Sequence, residues 1–165
     1  MQKLSLKSVD FSELPAFVRF ISDVWHTSYD ELLGTEQVDY MLAQFQSEQA
    51  IRRQIEEDGY EYYELTVSGE RVGYCALLLE ENSLFLSKLY LREKYRGKGF
   101  GQAALSEIAE KARSNGKKTV RLTVNKGNAC GIHAYEKFGF VRKDSVVTDI
   151  GGGFVMDDYV YEYTL

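Results

Sequence analysis

Three glycines stand at every second position in the segment Arg96-Gly97-Lys98-Gly99-Phe100-Gly101 of this chain of 165 residues. The segment follows an apolar, strand-like run over residues 84–91 and precedes a helical stripe of apolar side chains over residues 101–114. Glycine has no Cβ, so it permits tight turns and lets a ligand approach the backbone closely. A strand, a glycine-rich turn and a helix in succession predict an α/β fold.

The same segment has the features of an anion-binding site. The first N–H groups of a helix have no partner within the helix, and a glycine-rich turn can direct further N–H groups at the same ligand. Arg96 and Lys98 add positive charge at this point. We therefore expect the segment to bind a phosphate or a pyrophosphate.

Two common phosphate-binding loops fit this segment poorly. A P-loop requires Ser or Thr after Gly-Lys, whereas Gly97-Lys98 is followed by Gly99. The spacing Gly99-x-Gly101-x-x-Ala104 matches a dinucleotide fingerprint, but that fingerprint needs an acidic residue near the end of the next strand. The next predicted strand ends at Val124-Asn125, and Lys126 follows it. A nicotinamide-binding oxidoreductase remains an alternative that thermal stabilisation by NAD(P) would reveal.

A third interpretation of the loop also explains a second segment further along the chain. Arg96-x-x-Gly99-x-Gly101 resembles the acetyl-CoA signature of the GNAT superfamily of acyl-CoA-dependent N-acyltransferases, and the block Asn128-x-x-Gly131-x-x-x-Tyr135-Glu136-Lys137-Phe138-Gly139-Phe140 resembles its second conserved segment. The order of predicted strands and helices resembles that superfamily over nearly the whole chain. Within it, residues 148–159 are most similar to the bacterial spermidine/spermine N-acetyltransferase branch.

The resemblance implies which residues hold acetyl-CoA: Leu89, Tyr90, Leu91, Arg96, Gly97, Lys98, Gly99, Phe100, Gly101, Asn128 and Lys137. Residues 89–91 would splay from the neighbouring strand at a bulge and offer backbone groups to the pantetheine arm. An N–H of Leu89 or Leu91 would stabilise the developing oxyanion. The amides of residues 96–101 would hold the pyrophosphate, and Lys137 would reach a CoA phosphate. The Asn128 carboxamide would either contact the pantetheine or cap the following helix.

The resemblance also implies a catalytic acid. Tyr135 is the candidate that protonates the departing CoA thiolate. Some members of the superfamily use a Glu of the central strand as general base, but the matching stretch here, Leu86-Ser87-Lys88, has no carboxylate. The base is therefore left open between bulk water and a water relayed to Glu31 or Glu80.

The acceptor is expected to bind near an N-terminal cluster consisting of Trp25, Tyr29, Asp30 and Glu31. Residues 1–66 carry 13 acidic and 5 basic side chains, which favours a polyamine or another small cationic amine as acceptor. A protein N-terminus or an amino acid remains possible, as does a regulatory module that binds acetyl-CoA without turnover.

Hydrophobic periodicity predicts a single domain over residues 1–165 in which helices flank a mixed sheet. The resemblance implies that the central strands of this sheet splay apart. Strands are expected at 4–9, 60–67, 71–79, 119–124, 145–150 and 154–164, and helices at 12–25, 36–57 and 128–138. Ser12 is the expected N-cap of the first helix, and residues 26–34 are expected to form a connector. Tyr159, Tyr161 and Tyr163 could form the seam of a homodimer.

Composition argues against several classes of protein. The net charge of −5 disfavours a general nucleic-acid binder, and two Cys and two His without zinc-ligand spacing disfavour a metal site. No apolar run approaches the length of a membrane span, and the first residues lack the apolar core of a signal peptide. These features favour a cytoplasmic protein with reduced cysteines.

Overall fold

The computed structural model describes residues 3–165, which contain seven β-strands and five α-helices. The strands are β1 (Leu4–Ser8), β2 (Tyr60–Val67), β3 (Glu70–Leu79), β4 (Ser83–Leu91), β5 (Thr119–Asn125), β6 (Val141–Gly151) and β7 (Phe154–Thr164). The helices are α1 (Leu14–Leu33), α2 (Thr35–Phe45), α3 (Glu48–Glu56), α4 (Phe100–Ser114) and α5 (Ala129–Phe138). All seven strands form one sheet in the order β1-β2-β3-β4-β5-β7-β6, in which β4 and β5 pair in parallel and the other neighbours are antiparallel. The predicted α/β class with a mixed sheet is confirmed.

Helices cover both faces of the sheet. On one face, Leu105 and Ile108 of α4 are buried against Leu84 and Leu122 of the central strands, and α5 packs against the same cluster. On the other face, α1, α2 and α3 bury an aromatic-rich cluster against β2 and β3. Burial of apolar side chains on both sides of the sheet is the main source of stability for this architecture.

The first long helix continues through the predicted connector. Residues 26–33 belong to α1, which ends only at Gly34, a glycine with a φ of 86°. Trp25 and Tyr29 continue the buried stripe of Ile21 at intervals of four residues. The connector prediction was wrong because the polar residues of this stretch occupy the outward face of an amphipathic helix.

Two helix starts also differ from the prediction. The expected helix over 36–57 is divided into α2 and α3, because the Ser47 hydroxyl caps a new start by accepting a hydrogen bond from the N–H of Ala50 at 3.1 Å. At the first helical region, Ser12 does not act as the N-cap. Its own N–H donates to the Asp10 carboxylate at 3.0 Å, and Asp10 caps the 3₁₀ turn that precedes α1.

The aromatic residues of the last strand face the interior. Tyr161 is fully buried, and Tyr163 packs its ring against Phe138 of α5 with centroids 4.9 Å apart. Tyr159 is half-buried beside the same cluster. These side chains therefore belong to the core, and the prediction that they form a dimer seam was wrong for Tyr161, which has no exposed surface. The preceding strand, β6, starts at Val141, four residues earlier than expected.

Within residues 3–165, every helix is too short or too polar to cross a membrane. The same part of the chain brings together no group of three or more His, Cys, Asp or Glu side chains that could hold a metal ion.

Candidate active site

The centre of the sheet contains a gap between its two parallel strands. Residues 83–86 of β4 pair with residues 119–122 of β5, and the ladder between these strands stops there. The pairing of β3 with β4 skips Ser87, which forms a bulge. Beyond this bulge, β4 remains paired with β3 and β5 remains paired with β7, so β4 and β5 diverge. The predicted splay is confirmed, and its bulge lies two residues before the segment 89–91.

Two cavities lie in this gap. The narrow cavity, about 130 Å³, is lined by Ser28, Leu91, Arg96, Gly101, Leu105, Cys130 and Ala134 together with five shared residues. The wide cavity, about 300 Å³, extends toward α1 and α2. The residues that line both cavities are Leu89, Tyr90, Asn128, Gly131 and Tyr135. A ligand in one cavity would therefore meet a ligand in the other at this shared boundary.

The glycine-rich segment forms an open helix start at the narrow cavity. Gly97 and Gly99 have φ values of 74° and 87°, a region that other residues rarely adopt. Gly99 is the N-cap of α4 and contributes no side-chain cap, and its carbonyl accepts the first helical bond from Ala103 at 3.1 Å. The N–H groups of residues 100–102 thus have no partner within the helix. This is the arrangement that binds phosphate groups at helix starts.

The side chains of the segment divide into structural and exposed groups. Arg96 fixes the loop, because its Nε donates to the Leu91 carbonyl at 3.1 Å and its Nη2 to the Ser28 hydroxyl at 2.8 Å. Phe100 is buried in the core. Lys98 is exposed on the loop, and Lys137 is exposed on α5. The groups of this segment that are free to contact an anion are therefore its backbone amides, with the exposed Lys98 and Lys137 nearby.

The backbone of β4 directs donors into the gap. The N–H of Arg92, just after β4, donates to the Val72 carbonyl on β3 at 2.8 Å. Successive residues of a strand point their backbone groups to opposite sides, so the N–H groups of Leu89 and Leu91 point away from β3 and toward the gap. The Leu91 carbonyl, on the same side, is bound by Arg96. Leu89 lines both cavities, so of the two expected oxyanion donors its N–H is the one at their shared boundary.

Three phenols gather at the boundary of the cavities. The hydroxyls of Tyr29 and Tyr90 are 3.0 Å apart, and Tyr135 of α5 lines both cavities. Burial raises the pKa of each of these three phenols above the ordinary value, so they stay protonated at neutral pH and can donate protons. Asn128 caps α5, since its Oδ1 accepts from the N–H of Gly131 at 2.9 Å.

The four residues of the predicted acceptor cluster do not lie together in the structure. Trp25 and Tyr29 line the wide cavity, although the Trp25 indole is buried and donates to the Tyr74 hydroxyl at 2.7 Å. Asp30 lies outside that cavity and bonds Nδ1 of His26 at 2.7 Å. Glu31 lies on an outer groove. Helical geometry separates them, because side chains one residue apart point about 100° apart around the axis.

Two charged residues of the wide cavity were not predicted as site residues. Lys88 of β4 lines it, and burial lowers the pKa of its ammonium to about 8. Asp158 of β7 also lines it and is only 9% exposed. For Asp158, the sequence did contain a signal, the pair Asp157-Asp158 within an aromatic strand. Side chains alternate between the two faces of a strand, so one of the two carboxylates must point inward.

Comparisons with known proteins agree with this geometry. Residues 19–140 match the model of the acetyltransferase (GNAT) family. A Bacillus subtilis relative, the N-acetyltransferase YdgE, is 33% identical over 76 residues, 44% of this chain and about half (48%) of that protein's length. The spermidine N(1)-acetyltransferase of Thermoplasma acidophilum is 22% identical over 158 residues, 93% of this chain and 96% of that protein.

The fold is shared with a solved structure. The PaiA N-acetyltransferase of Thermoplasma acidophilum, crystallised in complex with coenzyme A, superposes with a TM-score of 0.83 at 20% identity and 99% coverage of both chains. Because the family model covers most of the chain, the protein belongs to the acetyltransferase (GNAT) family and is an acyltransferase.

Proposed function

We propose that this protein transfers the acetyl group of acetyl-CoA to a primary amine by direct attack within a ternary complex. The observation that carries the proposal is the meeting of the two cavities at Leu89 and Tyr135. The narrow cavity leads from the glycine-rich helix start and suits the extended pantetheine arm. The wide cavity opens on the other side of the same boundary and suits the acceptor. Positioning two substrates in this way supplies much of the rate of a bimolecular reaction.

Each group at the boundary has a proposed role. The amides of residues 97–101 hold the pyrophosphate, and the expected range of 96–101 is shortened because the N–H of Arg96 donates to the Glu93 carbonyl at 3.1 Å. Lys137 contacts a CoA phosphate. The N–H of Leu89 stabilises the negative charge that develops on the thioester oxygen. Tyr135 protonates the departing thiolate. The Asn128 side chain caps α5 through Oδ1 and contacts the pantetheine through Nδ2.

The proposed acceptor is a small cationic amine, and a polyamine is the first candidate. The spermidine N(1)-acetyltransferase of Thermoplasma acidophilum, a relative of this chain, supports this choice, as does the acidic N-terminal half. The charge of the wide cavity adds a restriction, because Lys88 is cationic at neutral pH and repels a second ammonium. We infer that one ammonium enters the cavity and that any others of a polyamine remain outside it.

Thermal unfolding combined with thiol release tests this function. A ligand at 100 times its dissociation constant stabilises a protein by about 2.7 kcal/mol, which corresponds to roughly 5–10 °C here. We expect such a shift with acetyl-CoA, and release of CoA thiol with at least one amine of a panel that includes spermidine, monoamines, amino acids and an N-terminal peptide. A shift without thiol release on any amine would instead favour a regulatory module. Stabilisation by NAD(P) but not acetyl-CoA would contradict the donor site.

A pair of glycine variants tests the phosphate role of the loop. Gly99→Ala forces a side chain into a left-handed conformation that costs about 1–2 kcal/mol, so the helix start should shift and acetyl-CoA should bind at least tenfold more weakly. Gly69→Ala is the matched control, since Gly69 also has a positive φ of 78°, its Cβ would meet no atom within 4 Å, and it lies in the turn between β2 and β3, outside both cavities. Calorimetric titration with acetyl-CoA measures both, and equal affinities for the two variants would contradict the role.

A further inference from the structure

Asp158 presents an unpaired carboxylate oxygen in the wide cavity. It lies on β7 opposite Asn125 of β5, and its Oδ1 is buried without a hydrogen-bond partner among residues 3–165. An unpaired buried carboxylate oxygen is costly, because it has lost its water and gained nothing in return. No other Asp or Glu among the described residues lines this cavity. The feature is explained if a ligand supplies the missing hydrogen-bond donor.

We propose that Asp158 binds the ammonium group of the acceptor and takes its proton, which supplies the carboxylate that the central strand lacks. The inference rests on the proposed function and identifies the general base for it. On β4, the stretch in which a Glu was expected, Leu86-Ser87-Lys88, has no carboxylate, whereas β7 brings one to the same cavity. Register brings β7 beside the diverging end of β5, and this places Asp158 on the cavity that contains Tyr135.

The proton balance needs both residues. Asp158 breaks one N–H bond of the ammonium, and the freed lone pair forms the new C–N bond to the acetyl carbon. The C–S bond then breaks, and Tyr135 gives its proton to the thiolate. The nitrogen loses a second proton, which restores the Tyr135 phenol, and Asp158 releases the first proton to solvent. The products are the N-acetyl amine, CoA thiol and one proton.

Charges on three elements act on Asp158. Lys88 of β4 and Lys126, which follows β5, favour its ionised form, whereas burial and the neighbouring Asp157 oppose it. Tyr29 of α1 also faces it and stays neutral. Burial is the largest effect and raises the pKa of Asp158 above its ordinary value. A carboxylate with a raised pKa accepts a proton more readily than an exposed one.

The test compares Asp158→Asn with Asp157→Asn. Asp157 points to the opposite side of the strand and pairs with Lys126 at 2.8 Å on the surface, so its variant is a matched control. We expect Asp158→Asn to lower kcat/KM for an accepted amine roughly a hundredfold at pH 7, with acetyl-CoA affinity unchanged within twofold. The deficit should shrink as the pH approaches about 10, the ordinary pKa of an alkyl amine, because the free amine needs no base. Asp157→Asn should stay within twofold of the wild type.

Stability separates this role from a structural one. Burial disfavours charged Asp158, so Asp158→Asn should unfold at the same or a higher temperature than the wild type. Asp158→Glu, which keeps the carboxylate, should retain more activity than Asp158→Asn. The inference about Asp158 would be overturned if Asp158→Asn turned over like the wild type, or if it unfolded at a lower temperature and also lost acetyl-CoA affinity. Either result would leave the proposed function unaffected. A wild-type protein that acetylates no amine would overturn the proposed function.

Discussion

We expect Tyr135→Phe to lower turnover about a thousandfold while acetyl-CoA binds as tightly as to the wild type, within the range of general acid catalysis. The phenol lies at the boundary of the two cavities, and burial raises its pKa, so it is protonated at every pH at which the protein would work. The variant keeps the aromatic ring, which packs edge-to-face on Phe140 with ring centroids 5.7 Å apart. It removes only the hydroxyl that donates the proton. Thiol release under single-turnover conditions and calorimetric titration measure the two quantities.

Tyr163→Phe is the control for this experiment. Tyr163 lines neither cavity, and its ring packs on Phe138 of the same helix that carries Tyr135. Removal of its hydroxyl should leave turnover unchanged. If Tyr135→Phe reacts at the wild-type rate, the proton reaches the thiolate from another group, and Tyr135 is then only a packing residue.

The second large effect is expected on stability, from Gly73→Ala. Gly73 lies on β3 opposite Leu91, and a Cβ at this position would overlap the carbonyl oxygen of Tyr90 and lie 3.1 Å from the Leu91 Cα. Both atoms belong to the backbone, so no change of side-chain rotamer relieves the overlap and β4 must move. We expect a loss of about 3 kcal/mol, the upper part of the range for overpacking, and a melting temperature lower by roughly 6–12 °C.

Differential scanning calorimetry of the protein without ligand checks this prediction, with Gly101→Ala as the control for stability. The control adds the same methyl group near Leu91 at an ordinary contact distance, and replacement of glycine within a helix is favourable by up to about 1 kcal/mol. If Gly73→Ala has the same melting temperature as the wild type, β3 and β4 move apart more easily than their register indicates, and the prediction is wrong.

The donor half of the site could be predicted from the sequence because its chemistry is local. Gly97, Gly99 and the following helix form the proposed anion site from residues adjacent in the chain, and the strand that precedes them carries the proposed oxyanion donor. The spacing from Asn128 to Tyr135 places both on one short helix, α5, whose start lies at the same gap.

The acceptor half depends on long-range pairing that no local pattern reveals. Asp158 reaches the wide cavity only because β7 lies between β5 and β6, an order that the succession of strands in the chain does not specify. The length of α1 was missed for a related reason. Trp25 and Tyr29 are buried by contacts with the distant Tyr74 and Tyr90, so the polar residues between them resembled a connector.

The short ladder between β4 and β5 also has a mechanical consequence. Strands β1–β4 and strands β5–β7 form two antiparallel ribbons, and four residue pairs join them across the sheet. Partial opening of a domain follows the boundary with the fewest hydrogen bonds, which here is this seam. We expect a molecule seated in the gap to contact both ribbons and to oppose their separation, so bound substrates should reduce local opening at this seam.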